Sequence, residues 1–195
     1  MSTVIQPIGI DQLAEYAQVP SVCDVRSILI VEELTGSTWP SLREQPIKAP
    51  YTKDYDSYPE GGPLKWPQRF DLSNWGLWLA RDGGEAAGGA AMACNTASLQ
   101  ILEDRADVAA LWDIRVRPSY QRAGIGTALF REAAQWAKSK GCRLLKIETQ
   151  NVNVAACRFY ARMGCSLARI DHSAYNQTPG LVGEVMLIWH LDLSS

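Results

Sequence analysis

A short glycine-containing stretch constrains the fold of this chain more than any other feature. It comprises residues 121–127 (QRAGIGT) and lies between an apolar run, 109–116, and an amphipathic segment, 129–138. This pattern predicts a strand, a tight turn and then a helix. Glycine lets backbone N–H groups approach a ligand closely, and the first N–H groups of a helix lack partners within it. The stretch therefore predicts either a phosphate-binding turn at a helix start or a plain strand-to-helix turn.

The spacing of the two glycines separates this stretch from the common nucleotide loops. A Walker loop ends in Gly-Lys-Ser or Gly-Lys-Thr, whereas Gly126 is followed here by Thr127 and Ala128. A dinucleotide fingerprint needs a third glycine, and this stretch has only Gly124 and Gly126. The sequence thus argues against both kinds of nucleotide site.

Two blocks of the sequence resemble the GNAT superfamily of N-acetyltransferases. The block QxxGxG at 121–126 is similar to the loop that binds the pyrophosphate of acetyl-CoA in that family, and NxxAxxFYxxxG at 153–164 matches a second motif in the family's order. Within the superfamily, residues 147–161 (IETQNVNVAACRFYA) and 50–55 (PYTKDY) are most similar to the streptothricin N-acetyltransferases, and further downstream Tyr175 and Glu184 also fall on their pattern. The resemblance implies an acetyl-CoA-binding core over residues 108–191.

The expected fold is α/β, with a mixed GNAT-type sheet of about six to seven strands flanked by helices on both faces. The length of 195 residues suits a single N-acetyltransferase domain. Strands are expected at 3–8, 27–33, 75–81, 85–94, 108–117, 143–149, 165–170 and 184–191, and helices at 11–16, 127–140 and 153–163. A hairpin turn is expected at 82–84, and Asp11 and Asn153 are expected to cap the first and last of these helices. Residues 35–73 are expected to form an irregular, aromatic-rich insertion, because they combine Pro, Gly and charge with weak periodicity.

Composition excludes several classes of partner. The net charge of −2 provides no basic field for nucleic acid, and no apolar run reaches the roughly 18 residues of a membrane span. The N-terminus has no signal-peptide pattern, so we expect a cytoplasmic protein. Five scattered cysteines without a C-x-x-C pair predict reduced, packed thiols. Two histidines, His172 and His190, without paired cysteines give no ligand spacing, so no metal is expected.

The resemblance also implies which residues bind acetyl-CoA, the expected co-substrate. The main chain of the strand before the loop would bind the pantetheine arm, and the loop would bind the pyrophosphate with Arg122 supplying positive charge. Asn153 would bond the pantetheine or a nearby water, and Phe159 would pack near the arm. The full set is Ile114, Arg115, Val116, Gln121, Arg122, Ala123, Gly124, Ile125, Gly126, Thr127, Asn153 and Phe159.

Acyl transfer from a thioester to an amine needs a base for the amine and an acid for the departing thiolate. The resemblance assigns the acid to Tyr160, whose alternative role is to pack its ring against the sheet. It favours Glu148 as base or amine-binding group. Asp113 stands second, as an amine ligand or a base acting through water, because it is an acidic residue among apolar neighbours. The alternative for either carboxylate is a salt bridge with Arg115 or Lys146.

The acceptor is expected to be a primary amine of a small molecule, such as a streptothricin-like antibiotic. Acidic and aromatic side chains would bind a cationic amine through ion pairing and cation–π contact, and the candidates are Tyr51, Asp54, Tyr55 and Tyr175. The alternative for the acidic residues near 54–60 is a solvated surface. Aromatic residues in 35–73 could equally form a homodimer contact.

Two other functions stay open at this point. One is acetylation of a protein N-terminus or lysine, which needs an open groove for a peptide. The other is a non-catalytic acyl-CoA-binding regulatory module, which the presence of Glu148 and Tyr160 disfavours.

Overall fold

The computed structural model describes residues 3–32, 41–58 and 61–194. Within these ranges the strands are β1 (Val4–Pro7), β2 (Val22–Glu32), β3 (Ser41–Asp54), β4 (Trp75–Asp82), β5 (Glu85–Cys94), β6 (Val108–Val116), β7 (Leu144–Gln150), β8 (Ser166–Asp171) and β9 (Met186–Asp192). The helices are α1 (Leu13–Tyr16), α2 (Trp66–Arg69), α3 (Ile125–Ser139) and α4 (Val154–Arg162). The parts of the expected insertion at 35–40 and 59–60 lie outside the described residues.

The expected mixed α/β fold is confirmed. In the described part of the chain, seven strands form one mixed sheet in the order β1-β4-β5-β6-β7-β9-β8, and β2 pairs with β3 in a second sheet. The pairs β1–β4, β4–β5 and β5–β6 are antiparallel, whereas β6 and β7 are parallel. The predicted hairpin between β4 and β5 turns at Gly83 and Gly84, both with positive φ, as a two-residue turn requires.

The chain forms two compact units, and the single N-acetyltransferase domain stays a prediction. The first comprises Met1–Ser21, Asp54–Ile147 and His190–Ser195, and the second comprises Val22–Lys53 and Glu148–Trp189. The division falls inside β7, directly after Ile147, whose backbone pairs with Leu111 of β6. Each unit therefore holds part of the region expected to bind acetyl-CoA.

In the first unit, α1 and α3 pack on opposite faces of β5. A Cβ atom on Gly88 would lie 3.1 Å from Ile125 and Leu129 of α3, and one on Gly89 would lie 2.5 Å from the ring of Tyr16 in α1. Successive strand residues face opposite sides of a sheet. The two helices therefore cover both faces, as the sequence predicted.

Aromatic residues of the expected insertion belong to the core of the first unit. The Trp66 ring centroid lies 5.5 Å from that of Tyr16 and 5.7 Å from that of Trp75. Phe70 lies 5.2 Å from Trp112, edge to face, an arrangement that aromatic rings favour. This part of the insertion is anchored by its aromatic side chains.

Residues 41–54 form a strand, β3, where we expected irregular structure. Pro46 and Pro50 interrupt the donor pattern of a strand, and most of β3 is exposed, so the sequence lacks the alternation typical of a half-buried strand. Proline is tolerated at sheet edges, and a two-stranded sheet leaves β3 with a single neighbour. Residues 41–54 therefore form a strand because they pair with β2, and sequence periodicity does not reveal this pairing.

Other boundaries shift by small amounts. Helix α3 begins at Ile125 instead of Thr127. The predicted N-cap of α4 is confirmed, because Asn153 Oδ1 accepts a 3.1 Å hydrogen bond from the backbone N–H of Ala156. Asp11 lies inside a short 3-10 turn before α1 and does not cap that helix.

Across the described ranges, every helix is too short or too polar to cross a membrane.

Candidate functional site

The glycine loop lies in the first unit and leads directly into α3. Gly124, the residue before the helix, has a left-handed φ of +86°, and Arg122 has a φ of +65°. Residues 121–124 are exposed. Because Gly124 has no side chain, it cannot cap α3, which leaves the first helical N–H groups for an anion.

The strand before the loop carries a β-bulge at Trp112. Ala91 of β5 pairs with Asp113 and Met92 pairs with Leu111, so Trp112 is an extra residue in β6. The pairing of β6 with β7 runs from Val108↔Leu144 to Leu111↔Ile147 and thus ends at the bulge within the described residues.

The predicted pantetheine-binding residues lie beyond this bulge. Ile114, Arg115 and Val116 pair with Ala90, Gly89 and Gly88 of β5 on one side. Gln121 Nε2 donates a 3.2 Å hydrogen bond to the Val116 carbonyl and so ties the loop to the strand. The main-chain role of these residues toward a ligand remains a prediction.

Asp113 is held in a buried ionic network in the first unit. Its Oδ2 accepts hydrogen bonds from Tyr16 Oη at 2.6 Å and Arg115 Nε at 2.7 Å, and its Oδ1 accepts from Arg115 Nη2 at 2.9 Å. Arg115 Nη1 also donates to Asp56 at 2.8 Å and to the Val19 carbonyl at 2.9 Å. The salt bridge with Arg115, one of the alternatives for Asp113, is therefore present.

Electrostatics explain why this network can be buried. Burial disfavours the charged guanidinium of Arg115, but Asp113 and Asp56 outweigh this effect and raise the pKa of Arg115 above its ordinary value. Burial, and then the charge of Asp113, raise the pKa of Tyr16 well above its ordinary range. Tyr16 thus stays a neutral donor. The same contacts occupy both Asp113 oxygens, which counts against Asp113 as a proton acceptor.

Glu148, the preferred base candidate, lies in β7 and is the first residue of that strand that belongs to the second unit. The side chain reaches solvent, yet enough protein surrounds it that desolvation raises its pKa. Tyr175 Oη donates a 2.7 Å hydrogen bond to Glu148 Oε1, and this contact acts in the opposite direction on the pKa. Gln150 Nε2 in turn donates to Tyr175 Oη at 3.0 Å. The structure thus joins two predicted residues, Glu148 and Tyr175, directly.

Tyr160, Phe159 and Asn153 also lie in the second unit, on or beside α4. The Tyr160 side chain is buried, with its ring 5.5 Å from that of Phe159 and 6.5 Å from that of Trp189. Besides capping α4, Asn153 Oδ1 accepts a hydrogen bond from Cys23 Sγ at 3.4 Å. The roles of these three residues toward acetyl-CoA remain predictions.

The remaining acceptor candidates fall into both units. In the second, Tyr51 is 46% exposed, and partial burial and Glu184 raise its pKa. In the first, Asp54 Oδ1 accepts from the Asp56 N–H at 3.0 Å and caps a short turn. Tyr55 follows in that turn, with its backbone N–H on the Ser21 carbonyl at 2.9 Å.

The sequence assigned no role to several residues that the structure makes prominent. Lys53 and Glu184 form a buried ion pair, and Tyr16 completes the Asp113 network. Lys53 and Glu184 both fall where the chain resembles the streptothricin family, which is the signal that marked them. No sequence pattern marked the link from Gln150 to Tyr175.

The cysteines are free thiols, as predicted. Burial raises the pKa of Cys157 to about 12 and that of Cys142 and Cys165 to about 11, so these thiols stay protonated near neutral pH. Among the described residues, His, Cys, Asp and Glu form no group of three that could hold a metal ion.

Sequence comparison identifies relatives of this chain. It is 36% identical over 78 residues to streptothricin acetyltransferase A of Bacillus subtilis (strain 168), a match that covers 40% of this chain and 44% of that relative. The chain thus matches less than half the length of this curated relative.

Two solved structures share the fold over nearly the whole chain. A nourseothricin acetyltransferase superposes with a TM-score of 0.75 at 23% identity, covering 99% of both chains. A Bacillus anthracis str. Ames protein assigned as a streptothricin acetyltransferase, crystallised with acetyl coenzyme A, gives a TM-score of 0.78 at 22% identity, covering 98% of this chain and 99% of that one.

A family model settles the classification. The model for the acetyltransferase (GNAT) family matches residues 39–165. The match takes in β6 with its bulge, the glycine loop, α3, β7 and the Asn153-capped helix α4. With more than half of its residues covered by that one model, the chain belongs to the GNAT family of acetyltransferases.

Proposed function

We propose that this protein transfers an acetyl group from acetyl-CoA to a primary amine of a small molecule, with a streptothricin-like antibiotic as the first candidate. Family membership supports the reaction class, and the name of the Bacillus subtilis relative supports the acceptor. The observation that carries the proposal is Glu148, a carboxylate whose pKa is raised by desolvation and whose Oε1 accepts a 2.7 Å hydrogen bond from Tyr175.

The first unit supplies the residues that we assign to the co-substrate. Acetyl-CoA brings the acetyl group as a thioester and carries a pyrophosphate. We assign the pyrophosphate to the loop 121–127, whose first four residues are exposed and where the helix start and Arg122 both favour negative charge. In the first unit we assign the pantetheine arm to the main chain of 114–116. The roles that the resemblance implies for Asn153 and Phe159 toward acetyl-CoA stay predictions.

The second unit supplies the acid and the base. Glu148 takes a proton from the ammonium group of the acceptor, which frees the nitrogen lone pair to attack the thioester carbonyl. The raised pKa of Glu148 suits this role, because it brings the base closer to the pKa of the group that it deprotonates. When the carbon–sulfur bond breaks, Tyr160 gives its phenolic proton to the departing thiolate, and the second proton lost by the attacking nitrogen restores the phenol through solvent.

The acceptor is assigned to Tyr51, Asp54, Tyr55 and Tyr175. Aromatic rings and a carboxylate attract a cation, and Tyr51 is the more exposed of the two second-unit candidates. Among these residues the Tyr175 hydroxyl is committed to Glu148, so only its ring is assigned to the acceptor.

An amine panel tests the proposal. The purified protein is incubated with acetyl-CoA and either streptothricin, a polyamine or a peptide with a free N-terminus, and the acetylated product is measured by mass spectrometry. We expect product with the small amines, and a loss of about a hundredfold in kcat for Tyr160→Phe and for Glu148→Gln.

Each other outcome points to a different function. Acetylation of the peptide alone would assign the protein to N-terminal or lysine acetylation. Binding of acetyl-CoA by calorimetry without product from any amine would indicate a non-catalytic acyl-CoA-binding module. An unchanged rate and pH profile in Tyr160→Phe would remove Tyr160 as the acid.

A further inference from the structure

The hydroxyl of Tyr175 has one proton, and its neighbours determine where that proton points. Gln150 Nε2 donates to the phenol oxygen at 3.0 Å, and the phenol oxygen lies 2.7 Å from Glu148 Oε1. An amide nitrogen cannot accept a hydrogen bond, whereas an ionised carboxylate only accepts. The phenol proton is therefore directed at Glu148.

Tyr175 is well placed to hold this orientation. It lies in the segment between β8 and β9 and is only 7% exposed. Burial, and then the charge of Glu148, raise the pKa of Tyr175 above its ordinary value, so the phenol stays protonated wherever the enzyme is folded. The same phenol is therefore a constant donor to Glu148 across the working pH range.

We propose that Tyr175 is a positioning residue that fixes the Glu148 carboxylate through Oε1 and leaves Oε2 to take the proton of the amine. This role rests on the proposed function, in which Glu148 is the base. Gln150 acts one step further out, because it sets the direction of the Tyr175 proton.

The groups around Glu148 and Tyr175 predict in which direction the pKa of Glu148 moves when the phenol is removed. Burial disfavours ionised Glu148, and the hydrogen bond from Tyr175 favours it. Glu184, which is paired with Lys53, acts on Tyr175 through its charge. Removing the phenol hydroxyl leaves burial unopposed, so the carboxylate becomes harder to ionise.

The first test is the pH profile of kcat/KM in Tyr175→Phe. On the acid side the rate rises with pH as Glu148 loses its proton. Because Glu148 is harder to ionise without the Tyr175 hydroxyl, the acid limb of this variant moves to higher pH. We expect kcat/KM on the acid side to fall about fivefold, while the plateau at high pH changes by less than about twofold. A rise in KM of the amine by the same factor at every pH, with the limb in place, would show that Tyr175 only binds the acceptor.

Tyr16→Phe is the matched control. Tyr16 is also a buried phenol that donates to a carboxylate, Asp113, at 2.6 Å. Loss of the Tyr16 hydroxyl removes the same kind of hydrogen bond, but from a carboxylate other than the proposed base Glu148. We expect the limb of Tyr16→Phe to stay at its wild-type position even if the protein becomes less stable.

Gln150→Glu tests the direction of the proton. The substitution replaces a donor with an acceptor of nearly equal shape, which competes with Glu148 for the Tyr175 proton. We expect it to move the acid limb in the same direction as Tyr175→Phe. A limb at the wild-type position would remove Gln150 from the proposal.

A spectroscopic readout separates this proposal from the proposed function. Uniform labelling with 3-fluorotyrosine gives seven tyrosine signals by fluorine NMR, and the Tyr175→Phe variant identifies the one from Tyr175. We expect that signal to titrate with Glu148 and to lose this titration in Glu148→Gln. Titration without acetylation of any amine supports the contact and refutes the function. Acetylation with a Tyr175 signal that ignores Glu148 refutes the positioning role alone.

Discussion

Lys53 and Glu184 are 131 residues apart in sequence, yet they form an ion pair in the second unit that is almost completely buried. Lys53 Nζ lies 2.6 Å from Glu184 Oε1 and also contacts Oε2, with side chains 3% and 10% exposed. The pair connects the end of β3 to the residue just before Val185 and β9. The segment that carries Tyr175 is thus fastened at its far end by a charge pair.

Breaking this ion pair should destabilise the protein strongly. Lys53→Met leaves Glu184 as a buried charge, and we expect the free energy of unfolding to fall by about 3 kcal/mol. Urea unfolding followed by tryptophan fluorescence measures this change. The double variant Lys53→Met/Glu184→Leu removes both charges and should recover most of the loss. A double variant no more stable than Lys53→Met would contradict the electrostatic explanation.

Glu148→Gln should make the protein more stable while it removes activity. Burial raises the pKa of Glu148 in the folded state above the ordinary value of 4.5. Its stabilising contribution is therefore fully present below that value and is lost as pH rises through the folded-state pKa. Glutamine keeps an acceptor for Tyr175 and carries no charge to desolvate.

Denaturant titrations at several pH values test this sign. We expect Glu148→Gln to exceed the wild type in unfolding free energy at about pH 8, with the difference shrinking towards about pH 4. A variant that is less stable than the wild type at the higher pH would show that Glu148 is stabilised by its surroundings, against the desolvation argument.

Asp113→Asn should show the opposite pattern. The substitution weakens a buried network that joins Tyr16, Arg115 and Asp56, and we expect the unfolding free energy to fall by about 3 kcal/mol. The acid limb of the kcat/KM profile should keep its position, because Glu148 supplies the base. If the limb disappears in Asp113→Asn and persists in Glu148→Gln, the base is Asp113.

Gly124→Ala should weaken acetyl-CoA binding through the backbone. A Cβ on Gly124 meets no atom within 4 Å, but the φ of +86° is strained for alanine, at a cost of about 1 kcal/mol. Relief of that strain turns the first N–H groups of α3 away, and we expect the Kd of acetyl-CoA, measured by calorimetry, to rise about tenfold.

The other end of the same helix provides the control. Gly141 follows α3 with a φ of +82°, and a Cβ there also meets no atom within 4 Å. Gly141→Ala should therefore lower stability by a similar amount and leave the Kd unchanged. Equal losses of affinity in both variants would indicate a general effect of helix strain.

Local signals predicted the elements that depend on neighbouring residues. The hairpin at Gly83 and Gly84, the start of α3 near Gly124 and the cap at Asn153 all follow from residues a few positions apart. Strand β3 was missed because its pairing with β2 outweighs two prolines and an exposed pattern.

The candidate site likewise contains features that local motifs predicted and features that they did not. The residue types of Glu148 and Tyr160 could be assigned from motifs, whereas their surroundings could not. Tyr175 is 27 residues from Glu148 in sequence, and Tyr16 is 97 residues from Asp113. Contacts over such separations depend on the folded chain, so sequence patterns left the salt-bridge alternative for Asp113 open.

The two adjacent glycines of β5 allow close packing on both faces of the strand. Gly88 touches α3, which begins at the phosphate loop, and Gly89 touches Tyr16, which holds Asp113. A methyl group on Gly89 would meet the Tyr16 ring, whereas one on Gly88 would meet α3 and, at 3.0 Å, the backbone oxygen of Arg115. Substitutions one residue apart in β5 therefore act on different faces of the sheet: Gly89→Ala presses on Tyr16, and Gly88→Ala presses on α3 and on the Arg115 main chain that we assign to pantetheine.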